Sequence, residues 1–302
     1  MTVTDRTAGI GGSDAAAILG LSPWKSALDV YLEKIGLARP EPESPRMTWG
    51  KLLEDTVARE YARRRGVEIR RHRRLLRHPE HPFIVGHIDR WVRENGTRGV
   101  LEVKTVGRRT DDWGPAGTDE VPAHYAAQVL HYLAVTGAPF AELAAFFRDS
   151  CELVTYRIPR DEEAIAALVE AEVHFWHTFV VPRVPPEPRS LEDIAKRWPR
   201  SVPEKSLTAT PEILRAVEEL RTLQGEQKRL AEREKGLRAE IQRFMEDAEA
   251  LVDDAGRVLV TWKTVASERI DTRRLRAEHP EIAAALTVRT ESRRFLLKGG
   301  GR

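Results

Sequence analysis

The chain has 302 residues, of which 41% are hydrophobic and 32% charged, with a net charge of +2. That length suits a main domain with an appendage, and the apolar fraction excludes wholesale disorder. A single cysteine, Cys151, excludes internal disulfides and any cysteine zinc cluster; with no membrane-length apolar run and no signal-peptide pattern at the start, a cytoplasmic protein is expected.

In chain order, residues 13–19 read as a helix capped by Ser13 or Asp14, and 28–35 repeat that signal. Residues 51–65 carry Leu53, Val57 and Tyr61 four apart, an amphipathic helix that Gly66 ends. From residue 59 to 78 nine Arg stand against two Glu. Such a run is either a solvated face or a phosphate-facing surface, and composition does not choose between them. Residues 83–92 and 100–106 read as strands. Residues 123–135 form a helix that begins after Pro122 and ends at Gly137. Two further strands are expected at 143–147 and 153–158, then a helix at 162–178.

Residues 180–190, with four prolines, read as an extended linker. Beyond it, Ile213, Leu220, Gln227, Glu234 and Ile241 recur every seven residues, with Ala216, Leu223, Leu230, Leu237 and Phe244 at the companion sites. Five heptads point to a coiled coil or a long helical arm. A helix folded back on the main domain is the plainer alternative. Gln227 and Glu234 weaken the seam, and Gly225 and Gly236 each cost a helix about 1 kcal/mol relative to Ala. A turn at 253–256, a strand at 258–264, a short helix opened by Asp271 and a last strand at 294–298 complete the pattern.

The most informative stretch runs from Gly86 to Thr105. Asn95-Gly96 is the favoured two-residue type I′ turn. With those residues as the loop, Glu94 pairs with Thr97 and Asp89 falls opposite Glu102. Facing carboxylates repel unless a cation lies between them. Period-two alternation puts Lys104 on the face of Glu102 and turns Leu101 and Val103 to the other, apolar face. A surface hairpin with its charges in water is the bland alternative, but the flanking apolar residues are typical of central strands, and buried acids need a partner. Glu54 lies about 100° round its helix from Leu53, at the edge of the buried stripe, and adds a third carboxylate. Gln128 and Tyr132 share one face of the 123–135 helix.

Together these pieces resemble the lambda-exonuclease, YqaJ-like branch of the PD-(D/E)xK nucleases. The resemblance rests on Arg6 and GIGGSDAAAILGLSPW with Ser13, GKLLED with Glu54, GHID with Asp89, LEVK with Glu102 and Lys104, and QVLHY with Gln128 and Tyr132. The motifs are short, but they occur in the family's order within residues 1–180. Ile88 stands where the motif's name expects proline, and His87 where related enzymes can carry serine.

The resemblance implies an α/β (α+β) fold: a restriction-endonuclease-like core whose central mixed sheet is flanked by helices, followed by a C-terminal helical, coiled-coil arm and a small β element. The expected divisions are a nuclease domain at 1–180, a proline-rich linker at 181–210, the arm at 211–249 and a small β/α element at 250–302. It further implies a magnesium-dependent (or manganese-dependent) 5′→3′ exonuclease acting on double-stranded DNA ends in phage-type recombination, in a bacterial or phage-infected cytoplasm. Asp89, Glu102 and the Val103 carbonyl would ligate the metal, with Glu54 binding through water or at a second ion. Lys104 would orient or deprotonate the attacking water. Arg6, Ser13 and Gln128 would grip the 5′-phosphate, supported by Tyr132. A single-strand annealing protein and further copies of the chain are the implied partners. Two other readings stay open: a metal-dependent endonuclease or Cas4-like end-trimming nuclease, and a non-catalytic DNA-end-binding scaffold.

Overall fold

The computed structural model describes Thr7, residues 9–38 and residues 44–298. The chain forms two compact units that divide between Arg197 and Trp198.

In the first unit, α1 (Gly12–Ile18) begins one residue earlier than expected, with Gly11 as its N-cap. Asp14, at the third helical position, reaches back to accept from the Gly11 N–H at 3.0 Å, so the cap does not come from Ser13, which is exposed. Next is α2 (Ala27–Lys34), where Ser26 and Asp29 form a reciprocal capping box. The third helix, α3 (Pro45–Arg65), starts six residues before the apolar periodicity does, because Ser44 caps it and Pro45 suits the first turn; Gly66 ends it in the left-handed conformation.

Strands β1 (Glu68–Arg71), β2 (Leu76–Arg77), β3 (Val85–Gly86), β4 (Arg90–Glu94) and β5 (Thr97–Val106) follow. Then come α4 (Ala123–Thr136), β6 (Phe140–Phe147), β7 (Glu152–Pro159) and α5 (Glu162–Phe175). The sheet order is β1-β4-β5-β6-β7, parallel only between β5 and β6, so the sheet is mixed. That parallel pair needs a crossover, and α4 lies within it.

The expected hairpin register holds from Glu94–Thr97 to Arg90–Leu101, but the ladder stops there, so Asp89 does not pair with Glu102 as expected. Glu94 pairs with Thr97, and Asn95 and Gly96 both have positive φ, as a type I′ turn requires. Alternation then sorts the two faces of β5. Leu101 and Val103 pack with Val57, Ala58 and Tyr61 of α3, while Val100 joins Val129, Tyr132 and Leu133 of α4. Helices therefore flank the sheet on both faces.

Residues 83–92 are not one strand. β3 pairs with β2, Ile84 bridges Ile10, and the chain leaves the ladder before Arg90. At the break, the Asp89 carboxylate reaches across the hairpin to accept the Val103 N–H at 2.9 Å, taking the place of a main-chain acceptor. The helix expected at 162–178 is likewise divided, with a π-helical turn at Trp176–Val180 after α5. The proline-rich segment lies inside the first unit. It leads into α6 (Leu191–Arg197), where buried Asp193 accepts from Ser26 Oγ at 2.6 Å and from the Arg189 N–H at 3.0 Å.

The second unit opens with α7 (Pro211–Met245), a 35-residue helix capped by Thr210. Leu223, Leu230, Leu237 and Phe244 along it are exposed. A β8 (Ala250–Val252) and β9 (Val258–Thr261) hairpin follows, then α8 (Thr272–Glu278), capped by Asp271, and α9 (Pro280–Leu286). β9 stops three residues before the expected end at 264. The strand expected at 294–298 does not form: no strand pairs with it among the described residues, and Phe295 and Leu296 remain exposed.

Candidate active site

β5 carries the centre of the site. Glu102 is only 3% exposed. Its Oε1 accepts from Lys104 Nζ at 2.7 Å and from Gln128 Nε2 at 2.9 Å. Its Oε2 is buried and has no hydrogen-bond partner. Beside it, Asp89 uses Oδ2 to hold the Val103 N–H. Burial, then the nearby charges of Glu102 and Glu54, push the Asp89 carboxyl well above the ordinary carboxylate range.

Lys104 Nζ also donates to Gln128 Oε1 at 2.7 Å and sits 5.3 Å from the centre of the Tyr125 ring. Burial alone would depress its ammonium, but the charge and hydrogen bond of Glu102 outweigh this and raise the pKa. Gln128 Nε2 donates also to the Tyr132 hydroxyl at 2.9 Å. Burial, followed by Glu102, raises that hydroxyl far above its usual range.

Two adjoining carboxylates, one with a buried oxygen lacking a partner, fit a hard divalent cation whose shell backbone oxygen and water complete. An orphaned carboxylate oxygen in a buried position is otherwise costly. Among the described residues, no three His, Cys, Asp or Glu side chains form one ligand cluster. Glu54, the expected third carboxylate, acts on Asp89 through its charge, while its Oε1 accepts from Arg90 at 2.8 Å and lies 3.9 Å from Arg71.

The expected phosphate-gripping set is described only in part. Arg6 lies outside the described residues. Both ends of the Gln128 amide are engaged by Glu102, Lys104 and Tyr132. Ser13 is nonetheless brought close. At Gly12, the residue before it, a Cβ would stand 2.6 Å from a Tyr132 ring carbon and 3.2 Å from Gln128. Only glycine lets α1 lie so near this face of α4.

Arg90 was not anticipated. It is buried, and its guanidinium donates to Glu54, to Asp55 at 3.0 Å and to the Asp89 carbonyl at 2.7 Å. It therefore ties α3 to the backbone of Asp89, whose carboxylate holds the Val103 N–H. The available signal was alternation: Arg90 lies two residues before core Val92, on the apolar side of β4.

The arginine run divides into two parts. Arg59, Arg63 and Arg64 pair with Asp55 and Glu60 along the exposed face of α3, the solvated reading. Arg65 reaches Glu94 and Glu142. Arg70, Arg73 and Arg74 are exposed and make no ion pair among the described residues, leaving their charge available to phosphate.

A mixed sheet with this Asp–Glu-x-Lys hairpin places the chain in a defined class. Residues 3–139 match the YqaJ-like viral recombinase domain. The chain is also 33% identical, over 97% of its length and 92% of the relative's, to the uncharacterized protein YqaJ of Bacillus subtilis (strain 168). It belongs to the YqaJ-like viral recombinase family. Among solved structures it is similar to the alkaline exonuclease LHK-Exo from Laribacter hongkongensis, at 17% identity and a TM-score of 0.44 over 57% of this chain and 88% of that one. LHK-Exo in complex with dAMP matches at 16% identity and a TM-score of 0.47 over 64% and 94% of the two chains. A phage-related exonuclease from Haemophilus somnus 129PT matches at 15% identity and 0.43 over 56% and 94%.

Proposed function

We propose that the protein is a magnesium-dependent exonuclease that degrades double-stranded DNA from its ends, in the 5′→3′ direction, during phage-type recombination. The observation that carries this reading is the Asp89–Glu102 pair, with its unmet buried oxygen and Lys104 alongside. Asp89, Glu102 and the Val103 carbonyl would hold the ion, with Glu54 reaching it through water. A hard divalent cation supplies Lewis acidity at the phosphate and makes water nucleophilic at neutral pH.

This chain's own residues do the rest. Lys104, kept charged by Glu102, donates from Nζ to orient the attacking water and to offset charge growing on the phosphate. Gln128 holds Lys104 and Glu102 in register through one amide. Water oxygen bonds to phosphorus as the bond to the leaving deoxyribose oxygen breaks; the water gives one proton to solvent and the leaving oxygen takes one up from solvent. Arg6 and Ser13 remain the candidates for the 5′-phosphate, and exposed Arg70, Arg73 and Arg74 for the duplex backbone. A single-strand annealing protein and self-assembly through α7 complete the reading.

Digestion of linear and closed circular duplexes tests it. Linear DNA with 5′-phosphate ends should be consumed with Mg²⁺ or Mn²⁺ and spared in EDTA, with 5′-hydroxyl ends cut more slowly and circles intact. Cutting of circles moves the answer to an endonuclease, and inertness on every substrate moves it to an end-binding scaffold.

A further inference from the structure

Trp24 is the most exposed tryptophan among the described residues, at 71%. That exposed ring is joined to the candidate active site through His124 and Tyr125. Its position is fixed by its own turn: Ser22 Oγ accepts from the Trp24 N–H at 3.3 Å and from the Lys25 N–H at 3.2 Å. The ring meets His124 at a right angle, 4.9 Å between centroids. His124 lies 4.1 Å from Tyr125, whose ring faces Lys104 Nζ. His124 Nε2 is itself buried without a hydrogen-bond partner. Three successive contacts thus lead from the open indole to the lysine of the candidate active site.

A planar apolar surface open to solvent suits a nucleobase, which offers a π-face. Each of the three contacts is about 4–5 Å long, and bases in one strand repeat about every 3.4 Å. A base on Trp24 therefore belongs to a nucleotide a few steps from the phosphate at Lys104. We propose that Trp24, backed by His124, is a stacking platform for one nucleobase of the DNA strand engaged at Lys104. This rests on the nuclease reading above and adds a positioning residue to it. The platform holds the strand by a base unstacked from its duplex neighbours, so the reacting phosphate is presented in a set register.

The test combines Trp24→Ala and Trp24→Phe with duplexes carrying one abasic nucleotide, moved stepwise along the first few positions of the degraded strand. Stacking on an aromatic is worth about 5- to 150-fold per base. The wild type should lose kcat/KM by a factor in that range at one abasic position. Trp24→Ala should lose the same factor on intact DNA and nothing further at that position, and Trp24→Phe should recover most of it. An unchanged rate for Trp24→Ala on intact DNA, or its full abasic penalty at every position, overturns the platform.

A second readout is separate from hydrolysis. An oligonucleotide with 2-aminopurine at the sensitive position is titrated in EDTA, where stacking quenches its fluorescence. If the wild type cuts nothing, the nuclease reading fails. The platform is then judged by this quench alone, scanned across the same positions: loss of a position-specific quench in Trp24→Ala supports it, and no such difference overturns it.

Discussion

Lys104 shows how one side chain can be indispensable for chemistry and dispensable for folding. It retains partial exposure, and its ammonium bonds Glu102 and Gln128 and lies over the Tyr125 ring. Lys104→Ala should therefore abolish cleavage while the protein stays folded and DNA-bound in EDTA, checked by circular dichroism and a mobility shift. Asp89→Ala and Glu102→Ala should also be inactive; full activity in any of the three removes the mechanism. Arg90 is the opposite case, a structural cation behind the chemistry. Arg90→Met would leave Glu54 and Asp55 without their shared partner. Breaking a fully buried pair costs roughly 3–5 kcal/mol. Glu54 and Asp55 are 26% and 45% exposed and solvent can take them up, so about 2 kcal/mol is expected from urea unfolding, with activity falling through misplacement of Asp89.

At the scale of elements, one carboxylate joins α1 to α2. Asp14 caps α1 and bonds Lys25 and Lys34, each at 2.6 Å. Burial works against its charge, but Lys34 and then Lys25 outweigh it and bring the carboxyl down from 3.8 to about 2. A folded-state pKa below the unfolded one stabilises the protein above pH 3.8, and that stability is lost as pH falls from 3.8 toward 2. The shift corresponds to about 2 kcal/mol. Asp14→Asn should thus lower stability at neutral pH by roughly that amount and flatten the acid side of the stability–pH curve, measured by urea melts at stepped pH. A second joint is wholly buried. His131 binds Glu172 of α5 at 2.7 Å and the Val85 carbonyl of β3 at 2.8 Å, clamping α4 between them. Burial opposes protonation of that imidazole, yet Glu172 raises its pKa.

For the whole molecule, the place to cut follows from α6 and not from the prolines before it. A chain ending at Arg197 keeps the Asp193 bonds to Ser26 and Arg189, and a chain ending at Pro188 loses them. The first should hydrolyse short duplexes with metal and melt higher than the second, by thermal unfolding. Both should lose assembly size by light scattering, because α7 exposes Leu223, Leu230, Leu237 and Phe244 at heptad spacing. Assembly unchanged in the shorter chains would assign self-association to the first unit. No helix among the described residues is long and apolar enough to cross a membrane.

What the amino-acid order determined by itself was local. Asn95-Gly96 specified the turn, and period-two alternation put Glu102 and Lys104 on one face and Leu101 and Val103 on the other. Gly66 and Gly137 marked helix ends, and the seven-residue repeat foretold α7. Each depends on near neighbours in the chain, whose geometry a short stretch already constrains. The tertiary structure alone decided the joints between distant residues: Glu54 with Arg90, 36 positions apart, His131 with Glu172, 41 apart, and Ser26 with Asp193, 167 apart. The break at Asp89 belongs with them, since its carboxylate leaves the strand pattern to meet Val103 across the hairpin. A buried charge announces that it needs a partner, but which partner depends on how the helices pack on the sheet, and no local pattern carries that information.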